Sequence, residues 1–107
     1  MAVKVCSEED VELGSAVRVV IDDVPIALVR DSAGVVHAIG DTCTHGDISL
    51  SEGFVEDDTL ECWAHGSKFS LTTGAALTLP AFEPVPIFTV TIVDGDIYID
   101  PTPIFVS

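Results

Sequence analysis

Segments dense in β-branched residues, with apolar and polar positions alternating at a period of two, recur along the chain. Such segments, when turn-forming residues bound them, predict β-strands. An acidic stretch at residues 7–12 predicts a turn or one brief helical turn. The predicted strands cover residues 3–6, 16–21, 25–30, 35–39, 59–61, 68–71, 87–93 and 97–100. Short turns separate most neighbours, so we expect antiparallel hairpins rather than strands joined by helices.

Turn signals support this interpretation. Asp94-Gly95 is the strongest hairpin signal in the chain, and Asp22-Asp23 marks a second tight turn. Three prolines within residues 79–86 exclude a helix there and favour extended or turn backbone.

The chain is predicted to form one all-β domain over residues 1–107. Residues 40–71 break the strand pattern, are rich in loops, and separate the early strands from the late ones. We therefore divide the domain into a base of residues 1–39 and 72–107 and an inserted subdomain of residues 40–71. Residues 101–107 are predicted to be a loose tail.

Charge narrows the choice of partners. Eighteen acidic residues stand against four cations, which gives a formal net charge of −14. Such a surface repels nucleic acid and anionic lipid, and it steers the protein toward a basic docking partner. Like-charge repulsion also favours a soluble monomer, which is the plainer explanation of the charge.

Cysteine usage and hydropathy indicate a cytoplasmic setting. The sequence shows neither a signal-peptide pattern nor an apolar run of the ~20 residues that a membrane helix needs. Three cysteines, an odd number, argue against a disulfide scaffold and for a reducing compartment.

The inserted subdomain carries a metal-ligand pattern, C-x-H followed by C-x-x-H, formed by Cys43, His45, Cys62 and His65. Thiolate and neutral imidazole bind both zinc and iron. Structural zinc sites usually leave about two to four residues between paired ligands, whereas Thr44 alone separates Cys43 from His45. The short spacing suits a [2Fe–2S] centre in which each segment gives its cysteine to one iron and its histidine to the other. A zinc knuckle is the alternative.

The residues around these ligands resemble a known family. The motifs C-T-H-G-D-x-S-L-S-x-G and E-C-x-x-H-x-x-K-F are similar to those of the Rieske-type ferredoxins that serve bacterial aromatic-ring dioxygenases. The resemblance extends to Thr73-Gly74, to Pro80-Ala81 and to the closing strand around Tyr98, so it covers most of the chain.

The resemblance implies a cofactor, a fold and a function. It implies one Rieske [2Fe–2S] cluster with Cys43 and Cys62 on one iron and His45 and His65 on the other. The implied fold is an antiparallel β sandwich or barrel base with a small cluster-binding subdomain at its tip. The implied function is one-electron transfer from an NAD(P)H-dependent reductase to a terminal oxygenase, without catalysis by this chain alone.

Departures from the respiratory Rieske proteins predict a low reduction potential. Ile48 and Ala64 stand where those proteins carry a disulfide, and Phe69 stands where they carry a tyrosine that donates to a ligand sulfur. Fewer hydrogen-bond donors to the sulfurs lower the reduction potential of the cluster, although Ser67 keeps one hydroxyl that could donate to a sulfur. We expect a value near the bottom of the Rieske range of roughly −150 to +300 mV.

Carboxylates near the ligands act in the same direction, because negative charge disfavours accepting an electron, although water screens the exposed ones. Against them stands the single cation Lys68. The carboxylates are Asp41, Asp47, Glu52, Glu56, Asp57, Asp58 and Glu61.

Four residues outside the ligand set have plainer interpretations. Cys6 is predicted to be a free structural thiol, and His37 a surface or packing residue. Trp63 is predicted to cap the cluster, with contact to a partner as the alternative. The segment around Pro80 is either a third loop over the cluster or an ordinary connection.

Three other functions compete with electron delivery to an oxygenase. The chain could be a small Rieske subunit of a nitrite-reductase-like enzyme, an accessory ferredoxin of iron–sulfur cluster assembly, or a zinc-stabilised interaction module. It is not a complete Rieske oxygenase, because no histidine follows His65 to build a 2-His-1-carboxylate iron site.

Overall fold

The computed structural model describes residues 2–42, 49–63, 68–77 and 84–104. Nine strands and two single 3₁₀ turns, Glu8–Asp10 and Leu50–Glu52, make up its regular structure. The strands are β1 (Val3–Ser7), β2 (Ser15–Ile21), β3 (Val24–Arg30), β4 (Val36–Gly40), β5 (Phe54–Glu56), β6 (Thr59–Glu61), β7 (Lys68–Ser70), β8 (Ile87–Val93) and β9 (Asp96–Ile104).

The strands form two antiparallel sheets. Six of them pair in the order β1-β9-β8-β4-β3-β2, and the other three pair in the order β5-β6-β7. The two edge strands of the larger sheet line a common groove of about 360 Å³, so this sheet curves back on itself as a barrel does. The predicted all-β antiparallel fold is confirmed.

Tight turns of the expected chemistry join the long hairpins. Asp22 and Asp23 connect β2 to β3 with φ of 50° and 66°, and Asp94 and Gly95 connect β8 to β9 with φ of 50° and 81°. Positive φ at both central residues is the type I′ geometry that matches the twist of paired strands. The acidic stretch near the N-terminus forms a 3₁₀ turn whose first backbone N–H groups are capped by Ser7.

Strand β3 is buried on both faces, because the smaller sheet covers the larger one there. On one face Ala27 and Val29 pack with Leu60 and Phe69 of the smaller sheet. On the other face Ile26 and Leu28 pack into the interior of the larger sheet. Residues 26–29 are therefore fully buried in succession, which explains why β3 is a continuous apolar run rather than an alternating one.

The segment after β7 belongs to the packing of the smaller sheet. Ala76 pairs with Phe69, and Val85 lies in the same buried cluster as Leu60 and Leu71. The boundary at residue 71 stays a prediction, and these contacts favour extending the subdomain toward residue 86.

The prediction of a loose tail from residue 101 is wrong for residues 101–104, which continue β9. Pro101 and Pro103 are tolerated because the pairing with β1 ends at Ile99 and the pairing with β8 shifts register between Ile87 and Thr89. Their missing N–H groups therefore interrupt no regular ladder. The rest of the predicted tail, residues 105–107, lies outside the described residues.

Two short elements were not predicted, strand β5 and the 3₁₀ turn Leu50–Glu52. Residues 50–56 show no regular alternation of apolar and polar positions and lie in the stretch predicted to be rich in loops, so their pairing and packing contacts identify them. Among the described residues, no helix has the length and apolar character needed to cross a membrane.

Gly74 lets the returning chain lie against the turn after β7. Its φ is 76°, its carbonyl accepts from the N–H of Val85 at 2.8 Å, and a Cβ there would overlap the Val85 carbonyl oxygen. Gly14 has nearly the same φ of 73°, but nothing lies within 4 Å of a Cβ added to it. The two glycines thus share a conformation and differ in crowding.

We predict that Gly74→Ala destabilises the protein more than Gly14→Ala. The left-handed conformation costs each variant about 1–2 kcal/mol, and the overlap with the Val85 carbonyl adds a further ~1–3 kcal/mol to Gly74→Ala alone. Urea unfolding followed by circular dichroism measures both differences. Equal losses in the two variants would contradict the crowding argument.

Candidate metal centre

Of the predicted ligands, Cys62 lies among the described residues. Cys43, His45 and His65 lie outside them, as do Ser67 and Pro80 of the predicted surroundings. The geometry of the centre is therefore built from Cys62 and from the residues that flank the other ligands in the chain.

Cys62 follows β6 directly and is fully buried. Its side chain belongs to the cluster that also contains Leu60 and Phe69, and it forms no disulfide. A buried free thiol at the end of a strand suits a thiolate ligand that the scaffold holds rigidly and shields from water.

The flanks of the first ligand segment, residues 43–48, are joined to each other. Thr42 and Ser49 form an antiparallel bridge, and the N–H of Leu50 donates to the carbonyl of Asp41. This segment therefore leaves and re-enters the scaffold at a single point, as the tip of a hairpin does.

The second ligand segment, residues 62–67, is closed in the same way by the pairing of Glu61 with Lys68. It also lies beside the first segment's exit, because Phe54 pairs with Glu61 and a Cβ at Gly53 would overlap the Glu61 carbonyl oxygen. The backbone just after the first segment thus touches the backbone just before Cys62.

A third segment, residues 78–83, starts and ends at the same end of the molecule. The N–H of Leu77 donates to the carbonyl of Lys68 at 2.7 Å, and the N–H of Gly40 donates to the carbonyl of Pro86 at 2.8 Å. Leu77 and Pro86, which flank the segment that contains Pro80, are therefore bonded beside the flanks of both ligand segments.

The surface near these flanks combines exposed apolar and acidic side chains. Phe54, Trp63 and Leu77 are each more than half exposed. Trp63 directly follows Cys62 in the chain and its ring is exposed, and its role as a cap on the cluster stays a prediction. Glu52 is exposed and Glu61 partly so, which leaves the surface next to Cys62 both apolar and negatively charged.

Two buried carboxylates close loops, Asp31 in the β3–β4 hairpin and Asp41 at the entry to the first ligand segment. Asp31 Oδ1 accepts from the N–H groups of Ala33 and Val35, both at 2.9 Å, and Asp31 Oδ2 lies 2.8 Å from Nε2 of His37. Burial alone raises the pKa of Asp31, but these hydrogen bonds, led by that of His37, leave the pKa below its usual value. His37 is thus a packing residue, as predicted.

The role of Asp41 was missed by sequence reasoning, which counted it among the carboxylates around the ligands. It is 2% exposed, and its carboxylate binds Arg18, Ser49 and the N–H of Ser51. No local sequence pattern predicts this contact, because Arg18 lies on a strand that is far from Asp41 in the sequence.

Cys6 lies on β1 and is half-buried, away from the flanks of the ligand segments. Burial, with a smaller contribution from the charge of Asp10, raises the pKa of its thiol. It forms no disulfide. These observations agree with the predicted free structural thiol.

The donor set fits an iron–sulfur cluster. Among the described residues, no group of three or more His, Cys, Asp or Glu side chains is arranged to hold a metal ion. A buried thiol, one further cysteine and two histidines, on two segments whose flanks touch, are the donors that a Rieske [2Fe–2S] centre requires.

Comparison with known proteins defines the class. The family model of the Rieske [2Fe-2S] domain matches residues 1–89. The chain therefore belongs to the Rieske [2Fe-2S] domain family, and its cofactor is one Rieske-type [2Fe–2S] cluster. This confirms the predicted family and cofactor, and it disfavours the zinc alternative.

Within this family, the chain is similar to ferredoxins of dioxygenase systems. The 3-phenylpropionate/cinnamic acid dioxygenase ferredoxin subunit of Escherichia coli (strain K12) is 45% identical over 96 residues, 89% of either chain. The ferredoxin of carbazole 1,9a-dioxygenase from Nocardioides aromaticivorans IC177 is 27% identical, with a TM-score of 0.90 over 95% of this chain and 99% of that one. A chain in a complex of reduced oxygenase and oxidized ferredoxin in carbazole 1,9a-dioxygenase is 35% identical, with a TM-score of 0.84 over 92% and 91% of the two chains.

We predict that Asp31→Asn lowers the free energy of unfolding by about 1–2 kcal/mol at neutral pH, because it weakens a charge-assisted network. The folded pKa of Asp31 lies below its unfolded value of about 3.9. Its stabilisation is therefore fully present above that unfolded value and is lost as the pH falls through the folded pKa.

The measurement is urea unfolding of the wild type and the variant at about pH 7 and about pH 3. The difference between them should shrink at the lower pH. The exposed Asp58 provides the control, since Asp58→Asn should change little at either pH. A difference for Asp31→Asn that persists undiminished in acid would contradict the role of its ionised form.

Proposed function

We propose that this protein is the ferredoxin component of an aromatic-ring dioxygenase system. It takes one electron from an NAD(P)H-dependent reductase and passes it to a terminal oxygenase. The observation that carries the proposal is the 45% identity, over 89% of both chains, to a ferredoxin subunit of such a system. The protein is an electron-transfer component and is not catalytic alone.

The proposed cluster ligands are Cys43, Cys62, His45 and His65, the two cysteines on one iron and the two histidines on the other. When bound, the cluster supplies a site that accepts and returns one electron. The chain holds it on segments whose flanks are pinned by Thr42–Ser49 and Glu61–Lys68. Cys62 is fully buried, so it would hold the cluster from the side of the protein interior.

A low reduction potential follows from the same arrangement. Phe69 lies fully buried on β7 in the cluster of side chains that contains Cys62, and its ring has no hydroxyl to donate to a ligand sulfur. Ile48 and Ala64 cannot form a disulfide. A cluster with few donors to its sulfurs suits a carrier that a nicotinamide-dependent reductase feeds.

We further propose that both redox partners dock on the end of the molecule that carries the ligand segments. The exposed rings of Phe54 and Trp63 supply apolar contact area there, and Glu52 and Glu61 supply negative charge. The complementary surface on the reductase and on the oxygenase is apolar with a basic rim. The net charge of −14 favours a monomer, and the odd number of cysteines supports a cytoplasmic location.

No observation favours the other functions. A nitrite-reductase-like small subunit and an accessory ferredoxin of cluster assembly would share the fold, but the 45% identical relative is named a dioxygenase ferredoxin subunit. Electron exchange with the purified reductase and oxygenase of such a system, followed by stopped-flow absorbance, tests the proposal directly. Rapid reduction without transfer to the oxygenase would contradict it.

We predict that Cys62→Ala abolishes the visible absorbance and the EPR signal of the reduced cluster, because it removes one of four ligands. Cys6→Ala is the matched control, since it removes a half-buried thiol from β1 and should leave both signals intact. Loss of the cluster in Cys6→Ala, or its retention in Cys62→Ala, would contradict the ligand assignment.

We predict that electron transfer to the oxygenase slows about tenfold or more as the ionic strength rises from ~0.01 M to ~0.5 M, because salt screens the steering field. The double variant Glu52→Gln/Glu61→Gln should slow transfer at low salt and flatten this dependence. The variant Glu9→Gln/Asp94→Asn is its control. It removes equal charge at the opposite end. Asp94 directly follows β8, whose other end pairs with β4 beside the ligand segments, and Glu8, next to Glu9, donates its N–H to the carbonyl of Gly95. Equal effects of the two double variants would contradict the proposed docking surface.

A further inference from the structure

We propose that Asp41 is a positioning residue for the cluster, which fixes both flanks of the first ligand segment and thereby sets the placement of Cys43 and His45. The inference rests on the proposed ligand set. Asp41 itself binds no iron in this proposal. It acts through hydrogen bonds to the residues on either side of the ligands.

The side chain of Asp41 reaches the far flank of the segment. Its Oδ1 accepts from the backbone N–H of Ser51 at 2.8 Å, and its Oδ2 accepts from the hydroxyl of Ser49 at 2.5 Å. Both donors follow residues 43–48, whereas Asp41 precedes them. One carboxylate thus joins the entry of the segment to its exit.

The backbone of Asp41 joins the same flanks to the scaffold. Its carbonyl accepts from the N–H of Leu50, and its N–H donates to the carbonyl of Pro25 on β3 at 3.2 Å. Leu50 is fully buried in the cluster between the sheets. Asp41 is therefore tied to strand β3 and to a fully buried core residue rather than to other loops.

Arg18 completes the network from strand β2. Its Nε lies 3.1 Å from Oδ2 of Asp41, and its own side chain is 54% exposed while that of Asp41 is 2% exposed. Burial of a carboxylate is costly unless its charge is paired and its oxygens are hydrogen-bonded. The three donors to the side chain of Asp41 meet both conditions.

The chemistry of the network requires a carboxylate. Two of the donors, Arg18 Nε–H and the Ser49 hydroxyl, share Oδ2. An amide in place of the carboxylate keeps one acceptor oxygen for Ser51 but turns an N–H₂ group toward Arg18, which has no acceptor to offer. Asp41→Asn therefore breaks the network while nearly preserving its shape.

Asp31 offers a built-in comparison. It is a buried carboxylate that also closes a loop through two backbone N–H groups and one side chain. Its hairpin lies between β3 and β4 and carries no proposed ligand. Loop closure alone is thus present at both residues, whereas only Asp41 is connected to the cluster.

A displaced ligand segment changes the cluster itself, since groups that orient metal ligands typically control metal retention by about 10–100-fold. We therefore expect chelator-driven loss of the visible absorbance to be at least about tenfold faster in Asp41→Asn. We also expect shifted g values in the EPR spectrum of the reduced protein and a shifted midpoint potential. Ser49→Ala and Arg18→Gln should show smaller changes in the same direction.

The experiment compares these variants with wild type and Asp31→Asn, all as the cluster-loaded full chain, and records the urea midpoint of each. Asp31→Asn should keep the wild-type g values, potential and rate of cluster loss. Should Asp41→Asn fail to fold, Ser49→Ala and Arg18→Gln decide the outcome, because both replace side chains at the edge of the network.

Two results would overturn the proposal. Unchanged g values, potential and cluster loss in the Asp41-network variants would show that Asp41 does not position the ligands. Equal changes of g values, potential and cluster loss in Asp31→Asn would show that Asp41 contributes only to general stability. A wild-type chain that binds no [2Fe–2S] cluster would instead refute the proposed function, which is a separate and visible failure.

Discussion

Burial of strand β3 on both faces is the constraint on which the rest of the structure depends. Ala27 and Val29 are covered by the smaller sheet, and Ile26 and Leu28 by the interior of the larger one. A chain of 107 residues buries too little apolar surface to form two separate cores. Sharing one strand between two clusters makes both sheets parts of a single cooperative unit, so the smaller sheet cannot shift without exposing the larger one.

The end of the molecule that carries the predicted ligand segments packs against strand β3, because Leu50, Leu60 and Cys62 lie in the same buried cluster as Ala27 and Val29. The flanks of the two predicted ligand segments are closed by strand pairs, Thr42 with Ser49 and Glu61 with Lys68. The backbone of Gly53 lies against the carbonyl of Glu61, which couples the two flanks. An electron carrier benefits from such an arrangement, because a site that does not rearrange keeps the cost of changing its charge low.

Local sequence patterns were sufficient to predict most of the larger sheet and the ligand motif. β8 was predicted with its observed bounds, since a β-branched run with alternation over residues 88–92 precedes the turn residues Asp94-Gly95 and leaves little ambiguity. The continuation of β9 through Pro101 and Pro103 was not predictable, because its cause is the position of those residues beyond the end of β1. The Asp41–Arg18 contact was not predictable either, because it joins residues that are far apart in the sequence. Local patterns encode strands and turns, whereas the partners of a buried charge depend on which strands become neighbours.

The acidic residues of this chain divide by environment into two kinds that act in opposite ways. Asp31 and Asp41 are the carboxylates buried within the described residues, and each is saturated by donors at a loop. Their charges are compensated locally, so they contribute to order rather than to the outer field. Exposed acids such as Glu52 face solvent, where salt screens their charge, and they contribute to the outer field. A net charge alone does not distinguish these two groups. The structure does: the buried pair closes loops, and the acids on the surface supply the negative field around the molecule.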